Sequence, residues 1–574
     1  MNLLYERWLP IRRNTGQVEW IAPYQIAEPD IVAFSANRAD FNGALAQLMI
    51  GLLQTTTPVN DESDWEALYD TSPTAETLTS WFAPIAEAFE LDGEGARFMQ
   101  DASLKVPEKD LCTIDGLFME APGEKTLKDN TDHFFKRGTI AGLCPHCVAA
   151  ALFSLQLNSP AGGQGHRTGV RGAGPLTTLV LPTPSRSLWH TLWLNARPRR
   201  FVLQQQGQIN KTALQFTFPW LQSNIQTLQT MGQSKKKKEE KMELQLLPIQ
   251  MHPTHIYWTM PRRILLDFGQ SQVGVCDVCK RDGSTLVSHY ATLNQGLNYK
   301  GPWRHPFSPY SEKSLEEWLP VHPQQSGFSY RHWMAWVHGD RRGKTHVQPA
   351  ATVSYFLHER YKYQARVGFR LWVFGFDMKN DKARCWYETT FPLYGFAENE
   401  RRELQHFQSF ATAFVASAEL AADSLRDAVK EAWFPKRKGK LDMRGDLSFV
   451  DKAFWDSTEA DFYRQLSDLL TQARSENGID MDDASFVIAM GERWHKVLVQ
   501  SALKLFDIDI VGAGSIGQQN PRRVAEAYNG LKRNLYGDAL KTILRLPVAE
   551  KKSKPSKAGK KAKPETDVQP HLTA

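Results

Sequence analysis

At 574 residues the chain is too long for a single hydrophobic core and predicts two or three domains. Its apolar content of 42% is that of a globular protein, no apolar run approaches the ~18 residues of a membrane span, and no secretory leader opens MNLLYERWLPIRR, so a soluble cytoplasmic protein without a membrane partner is predicted. The net charge of +6 does not describe a uniformly basic protein: the segment from Lys551 to the C-terminus holds seven Lys against Glu565 and Asp567, which leaves the rest of the chain nearly neutral. Any nucleic-acid surface on the folded part must therefore be a local patch.

Residues 1–396 read as an irregular α+β body, with strand-like runs such as PLTTLVLP and FRLWVFGF between short helical stretches. Within it, the loop KDNTDHFFKRG offers two readings. Asp129, Asp132 and His133 fit a solvated loop better than a metal site, while Phe134 and Phe135 followed by Lys136 and Arg137 can stack on bases and hold phosphates, or simply anchor the loop.

Next come Cys144-Pro145-His146-Cys147 and, after 128 intervening residues, Cys276-Asp277-Val278-Cys279. Two thiolates at C-x2-C spacing grip one face of a zinc tetrahedron, and two such pairs close a four-sulfur site with no position for water, so a structural Zn2+ is predicted. A redox dithiol is the alternative for either pair. Cys112 and Cys385 have no partner at such spacing and read as ordinary thiols, and six Cys in so long a chain do not make a disulfide scaffold. A zinc-dependent nucleic-acid enzyme would need an H-x-E ahead of its P-C-x-x-C pair; Leu143 precedes Cys144 and no such motif lies upstream.

Fourteen residues after the first knuckle, joined to it by the helical VAAALFSLQL, the chain places six glycines in thirteen residues, with Arg167 and Arg171 among them and Pro175 closing the run. A backbone this bare admits positive φ and close approach by another molecule, which suits contact with a phosphate or a base-pair edge, although glycine also collects in plain surface loops. Residues 233–242, QSKKKKEEKM, read as a solvated Lys-rich insert.

From 397 to 548 the strand signal fades and four amphipathic helices are predicted: Glu400 to Trp433, stopped by Pro435; from a cap near Ser457 to before Gly478; Asp483 to Phe506; and Pro521, capped by Asn520, to near Pro547. Together they predict a C-terminal four-helix bundle. Lys436, Arg437, Lys438, Lys440 and Arg444 between the first two helices, and Arg522, Arg523, Lys532 and Arg533 on the fourth, are of the kind that holds a phosphate backbone without reading sequence. Gly512, Gly514 and Gly517 fit the G-x-G-x-x-G dinucleotide fingerprint, but helices flank the segment where a βαβ unit needs strands, so a loop is predicted. Residues 549–574 read as a disordered Lys-rich tail.

In their shared order these residues resemble the CasA family, the large subunit of the type I-E CRISPR surveillance complex Cascade. MNLLYERWLPIRR is similar to the family's opening, Ser159 to Thr178 match its glycine loop without a gap, both knuckles fall in the family's places, and GPWRHPFSPY resembles a further family segment. The resemblance implies recognition of the protospacer-adjacent motif in double-stranded target DNA by the loop tip, Gly163, Gln164 and Gly165, with Gln164 standing where the family has Gly. It implies a wedge hairpin that starts strand separation, with Lys382 at the wedge position, Asp381 before it and Asn380 as the alternative tip; a groove contact falls on Asn294 by ungapped count, with Lys300 nearby.

The family's guide-RNA docking segment corresponds to the loop of Phe134, Phe135, Lys136 and Arg137, and the bundle would lie along the displaced strand beside other Cascade subunits. A helicase-nuclease partner does the cutting, and the family subunit has no catalysis of its own, in agreement with the lack of a nucleophile elbow, P-loop or H-E-x-x-H motif here. Two other classes of function are weighed against this: a structural scaffold that does not read the motif, and a zinc-dependent enzyme.

Overall fold

A computed structural model describes residues 1–121, 138–160, 165–204, 207–230, 245–314, 317–341, 346–360, 368–379, 382–437, 440–441, 446–475, 478–513 and 520–548. The N-terminal strands β1 (Leu9–Arg13), β2 (Val18–Ile21) and β3 (Ile31–Phe34) form an antiparallel sheet in the order β2-β1-β3. Helix α1 (Ala39–Thr56) follows, then α2 (Pro145–Asn158), which opens with Pro at its first position. Both are apolar on all sides and buried along nearly their whole length, as helices at the centre of a large core must be, and they pack on one another.

Strand β4 (Thr177–Thr183) leaves the glycine loop. Strands β5 (Arg263–Asp267) and β6 (His289–Leu293) pair antiparallel, with the short strand Cys112–Thr113 on the far side of β6. The longest strands, β7 (Gly368–Lys379) and β8 (Lys382–Leu393), make a hairpin whose first strand also pairs with β4, giving the order β8-β7-β4. Gly43 lets α1 close on this sheet: a Cβ there would meet Phe374 Cε2 at 2.8 Å. The runs PLTTLVLP and FRLWVFGF thus lie in strands that pair with each other.

Among the described residues, four helices of fifteen residues or more complete the chain: α3 (Arg401–Trp433), α4 (Ser448–Ala473), α5 (Ala484–Lys504) and α6 (Pro521–Leu535). Helix α3 touches each of the other three. Two expected boundaries are corrected. Helix α4 begins at Ser448, not near Ser457, because Val450 and Phe454 continue its buried face one turn at a time, and Asp446 accepts the Ser448 N–H at 2.9 Å. The last helical stretch breaks after Leu535 and resumes at Asp538–Ile543, short of Pro547.

The predicted cap of α6 is present, Asn520 Oδ1 accepting from Arg523 N at 3.1 Å. Gly512 lies just beyond a π-helical turn, Leu505–Ile510, that extends α5, so no strand precedes the G-x-G-x-x-G; residues 514–519 lie outside the described residues.

Tyr330 and Trp333 join the two parts. Tyr330 stacks on Phe462 at 4.3 Å between ring centroids and shares a 2.8 Å hydrogen bond with Thr458 Oγ1; Trp333 Nε1 donates to Pro392 O at 2.8 Å and its ring meets Phe407 edge-on. No helix among the described residues is long and apolar enough to cross a membrane. The Lys-rich insert at 233–242 and the tail from 549 lie outside the described residues.

Candidate functional site

The two knuckles meet. The Sγ atoms of Cys144, Cys147, Cys276 and Cys279 all lie within 4.8 Å of one another, Cys144 and Cys279 at 3.6 Å. A disulfide needs about 2.0 Å, whereas four thiolates at ~2.3 Å from a tetrahedral ion stand ~3.8 Å apart, so the spacing fits a shared metal ion. Cys144, Cys147 and Cys276 are buried and Cys279 is half-buried. With the sulfurs this close, hydrogen bonds from Cys144 and Cys147 pull the Cys276 thiol far down, and Cys144 leads in lowering Cys279 to about 7, while Cys147 is pushed up. A cation is what would let all four carry charge together.

Local backbone builds this geometry. Cys144 is the residue before α2, and its N–H donates to Cys276 Sγ at 3.3 Å. Asp277 Oδ2 accepts from Ala141 N at 2.7 Å and Gly142 N at 2.9 Å, tying one knuckle to the other, and Asn37 Nδ2 donates to Val278 O at 3.0 Å. His146, inside the first knuckle, is no ligand: Arg281 Nη1 donates to its Nδ1 at 2.8 Å, and burial, helped by that guanidinium, lowers it to about 4. The Arg281 guanidinium in turn lies 4.0 Å over the Trp20 ring.

Helix α2 runs from this centre to the root of the glycine loop, which Gly174 N closes by donating to Asn158 O at 3.0 Å. Gly163 and Gln164 lie outside the described residues, and Gly165 is the one tip residue among them. Gly165 has φ +82°, and a Cβ there would stand 3.0 Å from Asn294 Cβ and 3.1 Å from Gln295 Cγ. Its carbonyl accepts from Gln295 N at 2.8 Å. Asn294, reached in the sequence by counting alone, therefore abuts the loop; Lys300 is exposed, with its N–H given to Leu246 O. Arg262 spans the base of the loop: its guanidinium donates to Pro160 O and, at 2.7 Å, to His166 Nδ1. Burial, then the neighbouring Arg262, lowers His166, which keeps that nitrogen free to accept.

The two loop arginines part company. Arg167 is half-buried in the loop. Arg171, expected on the DNA-facing side, points inward instead and is 2% exposed: it donates to Thr177 Oγ1 at 2.9 Å, Ser308 Oγ at 3.4 Å and Gln47 Oε1 at 2.6 Å. No carboxylate joins it among the described residues, and burial lowers its guanidinium to about 10. The reason is position: the chain must already be turning into β4 at Arg171, under the loop and not on it.

Lys382 pairs with Lys379 at the end of the β7–β8 hairpin, so two exposed lysines flank the turn; Asn380 and Asp381 lie outside the described residues. Phe134, Phe135, Lys136 and Arg137 also lie outside them, as do Lys438 and Arg444; Lys436 and Arg437 pair with Lys440 and Leu441 in a short backbone ladder. Arg522 is exposed beside Glu526, but Arg523 is committed, donating to Ala432 O at 2.9 Å and Trp433 O at 3.2 Å at the end of α3. Sequence reasoning missed Arg262, Gln295 and Gln47, whose partners lie far along the chain; His166, within the glycine run, was the one visible signal.

Residues 2–505 match the family described as CRISPR-associated protein Cse1. Among solved structures, the chain is similar to Thermobifida fusca Cse1, with 15% identity over 95% of this chain and 98% of that one and a TM-score of 0.64. It is similar to Thermus thermophilus CasA (Cse1), with 16% identity over 93% and 99% and a TM-score of 0.60. A chain of a structure named CRISPR RNA-guided surveillance complex matches at 15% identity over 94% and 99%, with a TM-score of 0.61. At such identities the likeness speaks for the fold.

Proposed function

The chain belongs to the Cse1 family, and from that premise we propose that it is the large subunit of a type I-E CRISPR RNA-guided surveillance complex, working with guide RNA, the other Cascade subunits and a helicase-nuclease in antiviral defence. Its task is binding coupled to strand separation, without catalysis of its own. The observation that carries this reading is the glycine loop. It is rooted in a frame of buried polar contacts, closed at Asn158 and Gly174, and set against the turn of Asn294 and Gln295. A rigid root with a bare tip suits a narrow minor groove, where readout is mainly A·T against G·C, so several motif sequences are accepted.

In this reading Gly163, Gln164 and Gly165 enter the groove, with Arg167 at its edge and Asn294 and Lys300 beside it. Arg171 serves by holding the loop's root. The hairpin end, Asn380 to Lys382, parts the first base pairs, and guide pairing then propagates in a near-balanced exchange. Phe134, Phe135, Lys136 and Arg137 dock the guide RNA. Helices α3 to α6, residues 397–548, act as one four-helix bundle, with Lys436, Arg437, Lys438, Lys440 and Arg522 facing the displaced strand. The four cysteines hold a structural Zn2+, supplying a fixed cross-link between α2 and the second knuckle and no chemistry.

The test is a gel shift with the reconstituted guide-RNA complex on target duplexes carrying a randomised flanking motif, with and without this chain. Motif-selective binding that needs the chain and is lost in Gly163→Asp is expected. Equal selectivity without the chain, or with the variant, would make it a scaffold. Metal-dependent turnover by the isolated chain would instead reveal an enzyme.

A further inference from the structure

A cavity of ≈ 820 Å³ opens between the α+β body and the C-terminal helices, away from the glycine loop and the cysteine centre. Its helical side is α3, where Ser409, Thr412, Ala413 and Ala416 follow helical i, i+3, i+4, i+7 spacing and leave a shallow floor of small side chains. Met334 and Ile543 add apolar wall. The rim is cationic. Arg341 gives its Nε to His346 Nε2 at 3.1 Å, and His346 in turn faces Glu312 at 3.3 Å; Arg545 donates to Ser409 Oγ at 2.8 Å. Neither guanidinium has a carboxylate partner among the described residues, and Asp340 is the acidic residue of the lining. His338, also in the lining, keeps a buried Nε2 with no hydrogen-bond partner among the described residues.

Arg545 is the unexpected member. It follows the helix Asp538–Ile543 with φ +56°, in the left-handed region, while Leu546 N returns to Lys541 O at 2.8 Å and Arg545 N to Thr542 O at 3.1 Å. This is the helix stop in which glycine is strongly preferred because it has no Cβ to strain. An arginine there keeps the strain and supplies a guanidinium to the rim, and such outliers gather at ligand sites.

We propose that this cleft binds a nucleotide, its ring on the small-residue floor of α3 and its phosphate between Arg341 and Arg545. The volume suits one nucleotide, and guanidinium pairs are the usual holders of phosphate. The nucleotide can be free or one unit of a single strand, and the two are separable.

The experiment measures binding of adenosine 5′-monophosphate, adenosine and a twelve-residue oligothymidylate to the full chain, wild type, Arg545→Gly and Arg341→Gln. The monophosphate should bind about tenfold or more tighter than adenosine, and each variant should lose about that factor. Arg545→Gly places the favoured residue at the helix stop, so its thermal midpoint should not fall, which separates lost binding from lost fold. An oligothymidylate that displaces the monophosphate identifies a strand as the source; one that binds and leaves the monophosphate in place identifies the free nucleotide. Monophosphate no tighter than adenosine, or variants that bind as wild type does, would overturn the proposal.

Discussion

Around the glycine loop, the contacts that fix the chain join residues far apart: Arg262 to His166 across 96 positions, Asp277 to Gly142 across 135, Arg171 to Ser308 across 137. In the C-terminal helices the polar contacts are mostly local. Arg426 pairs with Asp423, Lys430 with Asp427, Lys452 with Asp456 and Arg522 with Glu526, each within one turn, while apolar faces carry the packing. A helix face can be filled by many apolar residues of suitable size, whereas a loop root held by single hydrogen bonds depends on each donor. The two regions should therefore fail differently, and each substitution below strains one side of that contrast.

The largest effect is expected at the four-cysteine centre, on the zinc site proposed above. Cys276→Ser should abolish zinc binding and cost roughly 5 kcal/mol or more, seen as about one equivalent less zinc than wild type by elemental analysis and a lowered first unfolding transition. Helical signal from α3 to α6 surviving that transition would sharpen the contrast; simultaneous loss of both would break it. Next, Arg171→Ala leaves Gln47 Oε1 and Thr177 Oγ1 without their donor and opens a cavity, for about 3 kcal/mol by denaturant titration. Motif selection should weaken with it, although Arg171 is buried beneath the loop.

Acid should strain the body through its buried histidines. His255 is fully buried, between Thr217 O and the Tyr299 hydroxyl, and burial lowers it to about 4; His305 is held well below its ordinary value by the same cause. As pH falls from about 6.5 to about 4, the unfolded chain takes up protons that the fold refuses, so stability is lost on acidification, by on the order of 3 kcal/mol for His255, with His305 acting in the same direction. His255→Gln should flatten that part of the stability-pH curve. A curve of unchanged slope would show the histidine uninvolved.

Gly165→Ala should cost ~1–2 kcal/mol, because φ +82° is uphill for alanine and the methyl meets Asn294 and Gln295. Its larger readout is altered motif selection in the gel shift. At the small end, Arg522→Ala removes one exposed i,i+4 pair and should leave the thermal midpoint unmoved while lowering single-strand affinity slightly at low salt.

The same contrast decides what was readable in the sequence. Helix α3 was legible nearly to the residue because its apolar spacing and Pro435 are local signals, and the cysteine centre was legible because C-x2-C spacing encodes tetrahedral geometry. The start of α4 was not, since Ser457 has a cap-forming side chain but lies mid-helix, its Oγ donating to Phe454 O. Arg171 was misjudged for a related reason: composition marks it as loop and basic, and only Gln47, 124 positions earlier, reveals that it faces inward. Arg262 gave no local sign at all of its place at the loop's base.

One consequence follows from the bond between Gly174 N and Asn158 O. It pinches the chain below the loop, and with Pro160 and His166 held by Arg262, Gly165 by Gln295 and Arg171 by Gln47, the ends of the short tip between Pro160 and Gly165 stay fixed, so closing a somewhat longer or shorter tip costs little. Grafting a different tip between Pro160 and Gly165 should then change which flanking sequences the proposed complex accepts while leaving the cysteine centre, the β7–β8 hairpin and the helices as they are. On the function proposed above, replacing a few residues at the tip would then redirect recognition without disturbing the fold that carries it.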